Sequence, residues 1–148
     1  MLYLLDTNAL TRLARGADAA IAQKVDANVL DCRLSAVAWF ELQYGAARSP
    51  NREKAVPRLK FLRSLMPAVE DFDEYAAQLA AEVRASLETM RPNAQPIGPY
   101  DVLLAGHALA MGAVLVTHNT REFSRVPGLS VEDWQEPTFT TGRRILSS

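Results

Sequence analysis

Three carboxylic acids and one amide stand out in this 148-residue sequence because they occur at the ends, or on the inward side, of apolar segments. They are Asp6, Glu41, Asp101 and Asn119. Two like charges 4 Å apart repel each other by about 4 kcal/mol at an effective dielectric constant near 20, so clustered acids must take up protons or bind a cation. Oxygen ligands without Cys or His partners favour Mg²⁺ or Mn²⁺ over zinc. A bound ion of this kind would activate water for attack on a phosphodiester.

Each of the four residues also has an ordinary structural explanation. Asp6 and Asp101 stand near the starts of predicted helices and could serve as N-caps, because their carboxylates accept hydrogen bonds from free backbone N–H groups. Asn119 could be a turn residue, and Glu41 could reach water from the edge of an apolar helical face. Only the combination of the four positions favours a metal site, and residue type alone leaves the structural alternatives open.

Two short apolar runs position two of these residues. Residues 2–5 (Leu-Tyr-Leu-Leu) end at Asp6, and residues 113–117 (Ala-Val-Leu-Val-Thr) end two residues before Asn119. Runs of this length without polar alternation are typical of strands buried on both faces of a parallel sheet. Ligands of such sheets bind beyond the carboxyl ends of the strands, so we expect both side chains to lie on one rim.

The other elements must bring Glu41 and Asp101 to that rim. The pattern predicts helices over residues 8–15, 18–26, 36–47, 51–65, 73–90 and 100–111, an edge strand over 29–35 and another strand over 66–70. The core-facing stripe predicted for helix 36–47 consists of Val37, Phe40, Tyr44 and Ala47. That stripe also carries Glu41. The stripe predicted for helix 73–90 consists of Tyr75, Leu79, Val83 and Leu87.

The composition is that of a single globular domain. Apolar residues make up 49% and charged residues 22% of the chain, and a formal charge of -1 with a pI of about 6.1 excludes a globally basic nucleic-acid binder. The only cysteine, Cys32, excludes an intrachain disulfide and a cysteine-based zinc site. The sequence shows no signal-peptide pattern and no apolar run near the roughly 20 residues of a membrane helix. We therefore expect a cytoplasmic protein without membrane contact, with one domain over residues 1–134 and a mobile C-terminal tail over 135–148.

Several motifs around the four residues resemble a known nuclease family. Asp6-Thr7-Asn8, the segment from Glu41 to Gly45, the run 97–101 (Ile-Gly-Pro-Tyr-Asp) and the run 105–108 (Ala-Gly-His-Ala) are similar to those of PIN-domain ribonucleases. The later segment 116–134, which contains Asn119, resembles the VapC toxins of bacterial toxin–antitoxin pairs. The resemblance covers nearly all of residues 1–134, with the motifs in the same order.

This resemblance implies a three-layer α/β/α sandwich with a mostly parallel central sheet. It also implies a Mg²⁺- or Mn²⁺-dependent endoribonuclease that forms a homodimer and is inhibited by a cognate VapB-type antitoxin, in an assembly that can bind promoter DNA through the antitoxin. The subgroup with similar Gly-Pro-Tyr-Asp and Asn-Thr-Arg-Glu-Phe runs cleaves initiator tRNA in the anticodon loop, so tRNA is the favoured RNA substrate. The loop over residues 91–95 departs from that subgroup, because it is longer and less rich in glycine.

Carried over residue by residue, the resemblance assigns Asp6, Glu41 and Asp101 as the three acidic metal ligands. Asn119 stands where many PIN domains have a fourth acid, which leaves one negative charge fewer and implies one tightly bound ion. The implied reaction is in-line attack of metal-activated water on the scissile phosphate, with Asp101 as a proton acceptor and with 5′-phosphate and 3′-hydroxyl products.

Other residues take supporting roles in this interpretation. Thr7 and Asn8 would orient Asp6 and the waters of the ion, and Thr117 would act with Asn119 in positioning water or an outer ligand. The candidate RNA contacts are Arg12, Arg15, Arg48 and His118. His107 lies six residues after Asp101, off the helical face of that acid, and is interpreted as structural.

Two other classes of function compete with the nuclease. A haloacid-dehalogenase-like phosphatase also begins with an aspartate after its first strand. It needs a second aspartate where this chain has Asn8, and a lysine near the later acids, which the sequence does not show. A non-catalytic RNA- or protein-binding module would use the acids only as helix caps. Replacement of Asp6 by Asn distinguishes these, because a nuclease would lose RNA cleavage whereas a binding module would keep its activity.

Overall fold

A parallel sheet forms the centre of the molecule. The computed structural model describes residues 1–90, 97–135 and 137 of the chain. The strands of these described residues are β1 (Tyr3–Leu5), β2 (Cys32–Ser35), β3 (Val69–Glu70), β4 (Val114–Val116) and β5 (Val131–Glu132). They lie in the order β3-β2-β1-β4-β5, and every neighbouring pair is parallel. The carboxyl ends of the strands therefore share one edge of the sheet.

The order of the strands creates a crevice at the centre of this edge. From β1 the chain moves outward to β2 and β3, and then returns past β1 to β4 and β5. The direction therefore reverses between β1 and β4, where Leu5 lies opposite Val116. Reversals of this kind leave a crevice beyond the strand ends in which ligands of α/β proteins bind. Asp6 and Thr117 directly follow these two strands.

Helices cover both faces of the sheet. In the described part of the chain they are α1 (Thr7–Arg15), α2 (Ala19–Ala27), α3 (Ala36–Ala47), α4 (Arg52–Leu65), α5 (Glu74–Thr89), α6 (Pro99–Met111) and α7 (Thr120–Phe123). Crossovers between parallel strands are right-handed as a rule, which assigns α1 to α4 to one face and α5 to α7 to the other. The contacts of α1 with α3 and α4, and of α5 with α6, agree with this arrangement, and α3 and α6 also contact each other, with the ring of Phe40 beside that of Tyr100. The expected α/β fold with a mostly parallel sheet is confirmed.

The pair α5 and α6 is packed unusually closely. A Cβ atom on Gly106 of α6 would lie 2.4 Å from the backbone of Ala80 in α5, so only glycine fits there. The neighbouring side chain of His107 is buried, with Nδ1 2.9 Å from Ser35 Oγ and its ring at the edge of the Phe72 ring. Burial lowers the pKa of His107 and favours the neutral imidazole. These contacts fit the structural role expected for His107.

The predicted edge strand over residues 29–35 is wrong in extent and in position. Residues Val29–Asp31 form a single 3₁₀ turn, and only Cys32–Ser35 form β2, which lies inside the sheet between β1 and β3. Asp31 and Arg33 were the polar residues that suggested an edge. Asp31 belongs to the 3₁₀ turn, and Arg33 is accommodated because its side chain remains partly exposed and its Nε lies 3.4 Å from Glu70 Oε1.

The predicted stripes of two helices are also wrong in part. Phe40, Tyr44 and Ala47 of α3 are exposed, and its core face consists of Val37, Ala38 and Ala46. Because α3 is apolar on nearly all sides, periodicity could not identify the buried side. In α5, Tyr75 is exposed and the buried face consists of Ala76, Ala80, Val83 and Leu87.

Other expectations concern short or undescribed segments. Neither α7 nor β5 was expected from the sequence pattern, because a single turn of helix and a two-residue strand carry little periodic signal. The loop over 91–95 and nearly all of the predicted tail lie outside the described residues. No helix in the described ranges has the length and apolar character required to cross a bilayer.

Candidate active site

Asp6 lies at the junction of β1 and α1, where the backbone fixes its position. Its N–H donates to the carbonyl of Val116 in β4 (3.0 Å), and its Oδ1 accepts from the N–H of Ala9 (2.8 Å). The side chain is buried, and this burial raises its pKa, while hydrogen bonds from Thr117 and the Ala9 N–H act in the opposite direction. Asp6 is therefore the N-cap of α1, as the structural alternative required, but that role uses only one carboxylate oxygen.

Thr117 and Asn119 approach Asp6 from the end of β4. The Thr117 hydroxyl hydrogen-bonds to the Asp6 carboxylate and accepts the N–H of Asn119 at 2.9 Å. Because the Thr117 hydroxyl accepts from Asn119, its single proton is free to be donated to the Asp6 carboxylate. Asn119 occupies the N-cap position of α7 without a side-chain capping bond, and it lines the same cavity as Asp6.

Glu41 reaches the rim from α3 through a contact with α1. Thr7 Oγ1 donates to Glu41 Oε1 at 2.6 Å, which joins the two helices next to Asp6. Glu41 is half-buried and lies beside the exposed ring of Phe40 instead of facing the core. Thr7 thus has a polar partner at the rim, but that partner is Glu41, whereas the sequence interpretation paired Thr7 with Asp6.

Asp101 lies in the first turn of α6, close to the other acids. Gly98 at the N-cap position leaves room for it, because a Cβ there would lie 3.2 Å from Asp101 Oδ2. The pKa of Asp101 is raised from 3.8 to about 6, first by burial and then by the negative charges of Asp6, Glu41 and Glu122. The fold therefore brings Asp6 and Glu41 within electrostatic range of Asp101.

The donor chemistry of this cluster suits a hard divalent cation. Its ligands are carboxylate oxygens, and the charges of Asp6 and Glu41 raise the pKa of Asp101, a repulsion that a cation would relieve. Among the described residues (1–90, 97–135 and 137), no three His, Cys, Asp or Glu side chains lie close enough together to hold an ion. The acids therefore match Mg²⁺ or Mn²⁺ in ligand type and charge, but the distances between them are too long for a bound ion.

Two further acids at this rim were missed by the sequence interpretation. Glu122 in α7 faces Asp101 electrostatically and forms an ion pair with Arg125 at 2.9 Å. Asp133 follows β5, and its charge raises the pKa of Asp6. The rule that placed Asp6 at a strand end would also have found Asp133, if the two-residue strand β5 had been recognised.

A cavity of about 880 Å³ extends from Asp6 along α1. Three of the four predicted RNA contacts line it, and of the three supporting residues only Asn8 does. The lining includes Asp6, Asn8, Arg12, Arg15, His118 and Asn119. Arg12 forms an ion pair with Asp18, and Nδ1 of His118 lies 3.0 Å from Asp133 Oδ2. Arg48 is separate from this group, because it lies over the ring of Tyr44 at the end of α3.

Comparison with known proteins identifies the family. The model of the PIN domain matches residues 3–129. The chain is 35% identical over 132 residues to the tRNA(fMet)-specific endonuclease VapC of Shigella flexneri, covering 89% of this chain and 97% of that protein. It is 37% identical over 134 residues to the protein of the same name from Salmonella typhimurium, with coverage of 89% and 97%.

A solved structure gives the same answer for the fold. The chain superposes on VapBC2 from Rickettsia felis, bound to a DNA fragment from its promoter, with a TM-score of 0.83 and 30% identity. The match covers 91% of this chain and 100% of the Rickettsia felis chain. These findings confirm the expected family and leave no support for the phosphatase alternative. The chain belongs to the PIN-domain family, and its relatives within that family are VapC ribonucleases.

Proposed function

We propose that this chain is the toxin of a VapB–VapC pair and that it hydrolyses the anticodon loop of initiator tRNA. The observation that carries the catalytic part is the electrostatic coupling of three acids from three separate elements. Asp6 follows β1, Glu41 lies in α3 and Asp101 begins α6, and the charges of the first two raise the pKa of the third. A fold that needed these residues only as helix caps would have no reason to hold them together.

A divalent metal completes the proposed site. Asp6, Glu41 and Asp101 would hold Mg²⁺ or Mn²⁺, and their side chains would have to rotate toward one another, Glu41 away from Thr7. When bound, such an ion supplies a nucleophile at neutral pH and neutralises charge on the phosphate. Thr117 keeps the Asp6 carboxylate oriented through its hydroxyl group, and its contact with the Asn119 N–H fixes the following turn.

Asp101 is the residue that we propose as proton acceptor. Its carboxylate lies beside the two other acids proposed to hold the ion, so an oxygen of Asp101 that does not bind the metal could take the proton of the attacking water. Water attacks the phosphorus, the bond from phosphorus to the 3′ oxygen breaks, and that oxygen takes up a proton. The products are a 5′-phosphate and a 3′-hydroxyl end.

The proposed substrate and partners rest on the relatives. Two relatives, which align with this chain over 97% of their own length, are named tRNA(fMet)-specific endonuclease VapC. A structural neighbour is a VapBC complex bound to promoter DNA. We therefore propose initiator tRNA as substrate, a VapB-type antitoxin as inhibitor, and a complex that binds promoter DNA through that antitoxin. Cleavage of tRNA would take place in the cytoplasm.

The proposed toxin is also a homodimer, to which the outer face of α5 contributes. Sedimentation velocity at micromolar concentration tests this, because a monomeric species there would contradict it.

Cleavage of purified RNA tests the proposed nuclease. The protein should cut initiator tRNA with Mg²⁺ or Mn²⁺ and stop with EDTA. Asp6→Asn should lower the rate by about 100-fold or more, while Asp26→Asn, an exposed acid on α2, should leave it unchanged. Cleavage that resists EDTA, or equal rates for the two variants, would contradict the metal site.

Expression in bacteria tests the toxin assignment. Without antitoxin the chain should arrest growth, and Asp101→Asn should relieve the arrest. Mapping new 5′ ends in cellular RNA after induction then identifies the cleaved bond. Ends confined to RNAs other than initiator tRNA would replace the proposed substrate without removing the nuclease.

A further inference from the structure

Three exposed aromatic rings form a continuous patch on the surface. Phe40, Tyr44 and Tyr100 are 52%, 56% and 43% exposed. The rings of Phe40 and Tyr44 are nearly parallel, with an angle of 12° and centroids 6.4 Å apart. Tyr100 lies against Phe40 at 5.6 Å. We call these three residues the aromatic platform.

The aromatic platform adjoins the catalytic acids in sequence and in space. Phe40 precedes Glu41, and Tyr100 precedes Asp101. A cavity of about 490 Å³ is lined by the platform together with Glu41 and Thr7. Asp6, which directly precedes Thr7, lines the larger cavity, and the charges of Asp6 and Glu41 both act on Asp101. A strand of RNA with its phosphate at the acids would therefore have a neighbouring nucleotide over the platform.

A cation accompanies these rings. The guanidinium of Arg48 lies 5.5 Å from the centroid of Tyr44, a cation–π arrangement that holds the group near the platform. Aromatic faces stack with nucleobases of any sequence, and a nearby arginine can contact the phosphate of the same nucleotide. The stacking contact requires an unpaired base, because bases inside a duplex have no free face.

We propose that the aromatic platform binds an unpaired nucleobase of the RNA substrate and so restricts cleavage to single-stranded loops. This inference rests on the proposed nuclease function. The size of the aromatic platform favours a base over a second protein chain, since the area of three half-exposed rings is far smaller than the roughly 800 Å² that each partner buries in a stable protein interface. Arg48 positions the phosphate of the stacked nucleotide.

Binding of RNA hairpins with single missing bases tests the aromatic platform. The Asp6→Asn protein, which should cleave about 100-fold or more slowly than the parent, is titrated in EDTA with the hairpin that spans the mapped cleavage site and with versions carrying one abasic loop position each. Removal of the stacked base should weaken binding by about ten-fold or more. Tyr44→Ala and Tyr100→Ala should weaken binding of the intact hairpin by a similar factor, and the abasic change should then cost no further affinity.

Matched variants separate stacking from loss of folding. Tyr100→Trp and Tyr44→Phe keep an aromatic face and should retain affinity, whereas Phe61→Ala, an exposed ring on α4, should have no effect. If every abasic position costs the same affinity in parent and alanine variants, or if the alanine variants bind like Phe61→Ala, the platform does not stack a base. Alanine variants that lose only dimer or antitoxin binding would show a protein interface instead.

The two proposals fail separately. If the parent protein cleaves no RNA with Mg²⁺ or Mn²⁺, the nuclease function fails. If it cleaves loops and duplexes equally and the platform variants cleave like the parent, only the aromatic platform fails.

Discussion

Replacing Asp101 by Asn should make the metal-free protein more stable at neutral pH. The pKa of this carboxyl group is raised from 3.8 to about 6 in the fold, so between these pH values the folded state binds more protons than the unfolded state. Its contribution to stability is therefore fully present below about pH 4 and is lost as the pH rises through 6. Asparagine has the shape of the protonated acid and carries no charge, so it escapes this loss.

The magnitude follows from the pKa difference. A difference of one in pKa corresponds to about 1.36 kcal/mol, which gives a cost of about 3 kcal/mol as an upper limit. Asp101 keeps part of its surface in water, and solvent screening reduces this to about 1.5 kcal/mol. The expected gain is therefore about 1.5 kcal/mol, or a rise of about 3 to 6 °C in Tm.

Thermal and urea unfolding in EDTA at pH 7.5 and pH 4 measure this effect. Asp101→Asn should unfold later than the parent at pH 7.5 and together with it at pH 4. Glu88→Gln is the matched control, because that acid is exposed on α5 and pairs with Arg84 within its helix. Addition of Mn²⁺ should stabilise the parent more than Asp101→Asn. An equal gain at both pH values, or no gain at pH 7.5, would refute the claim that like charges crowd this acid.

Three further outcomes are expected. Gly106→Ala should destabilise the protein by about 3 kcal/mol in urea unfolding, because its methyl group would overlap the backbone of α5, whereas Gly45→Ala, with no atom within 4 Å of the added group, should be neutral or stabilising. As the pH falls below about 6.5, the parent should lose stability relative to His107→Gln, by at most about 1.4 kcal/mol per pH unit. Burial lowers the pKa of the imidazole, so the unfolded state takes up a proton that the folded state resists. Thr117→Val should reduce RNA cleavage by about ten-fold or more and raise the Mn²⁺ concentration required, since Asp6 loses a charge-assisted hydrogen bond, and Thr117→Ser should restore both; unchanged cleavage by the valine variant would remove Thr117 from the site.

The strand ends were predictable because they depend on local pattern and on one general rule. The run before Asp6 and the run before Asn119 are short, apolar and uninterrupted, and parallel sheets place such ends on one rim. Glu41 and Asp101 could be chosen from their motifs. The distance between them could not, because it depends on how α3 and α6 pack.

The surface of α3 shows where local pattern fails. Apolar residues occupy nearly every side of this helix, so the spacing of Phe40 and Tyr44 fitted a core-facing stripe equally well. Tertiary packing instead buried the alanines, which allow close approach, and left the rings outside. Asp133 was missed for a different reason, since a two-residue strand is held by its neighbours and not by its own sequence.

The close contact between Ala80 and Gly106 has a consequence for inhibition. Asp101 and Gly106 belong to the same helix, so the depth at which the acid enters the crevice is set by a neighbouring helix that contributes no reactive group. A molecule bound between α5 and α6 would displace α6 as a unit, and Asp101 would move with it. A small apolar molecule that separates the two helices would thus inactivate the enzyme from a distance, without competing with RNA or metal for the charged crevice.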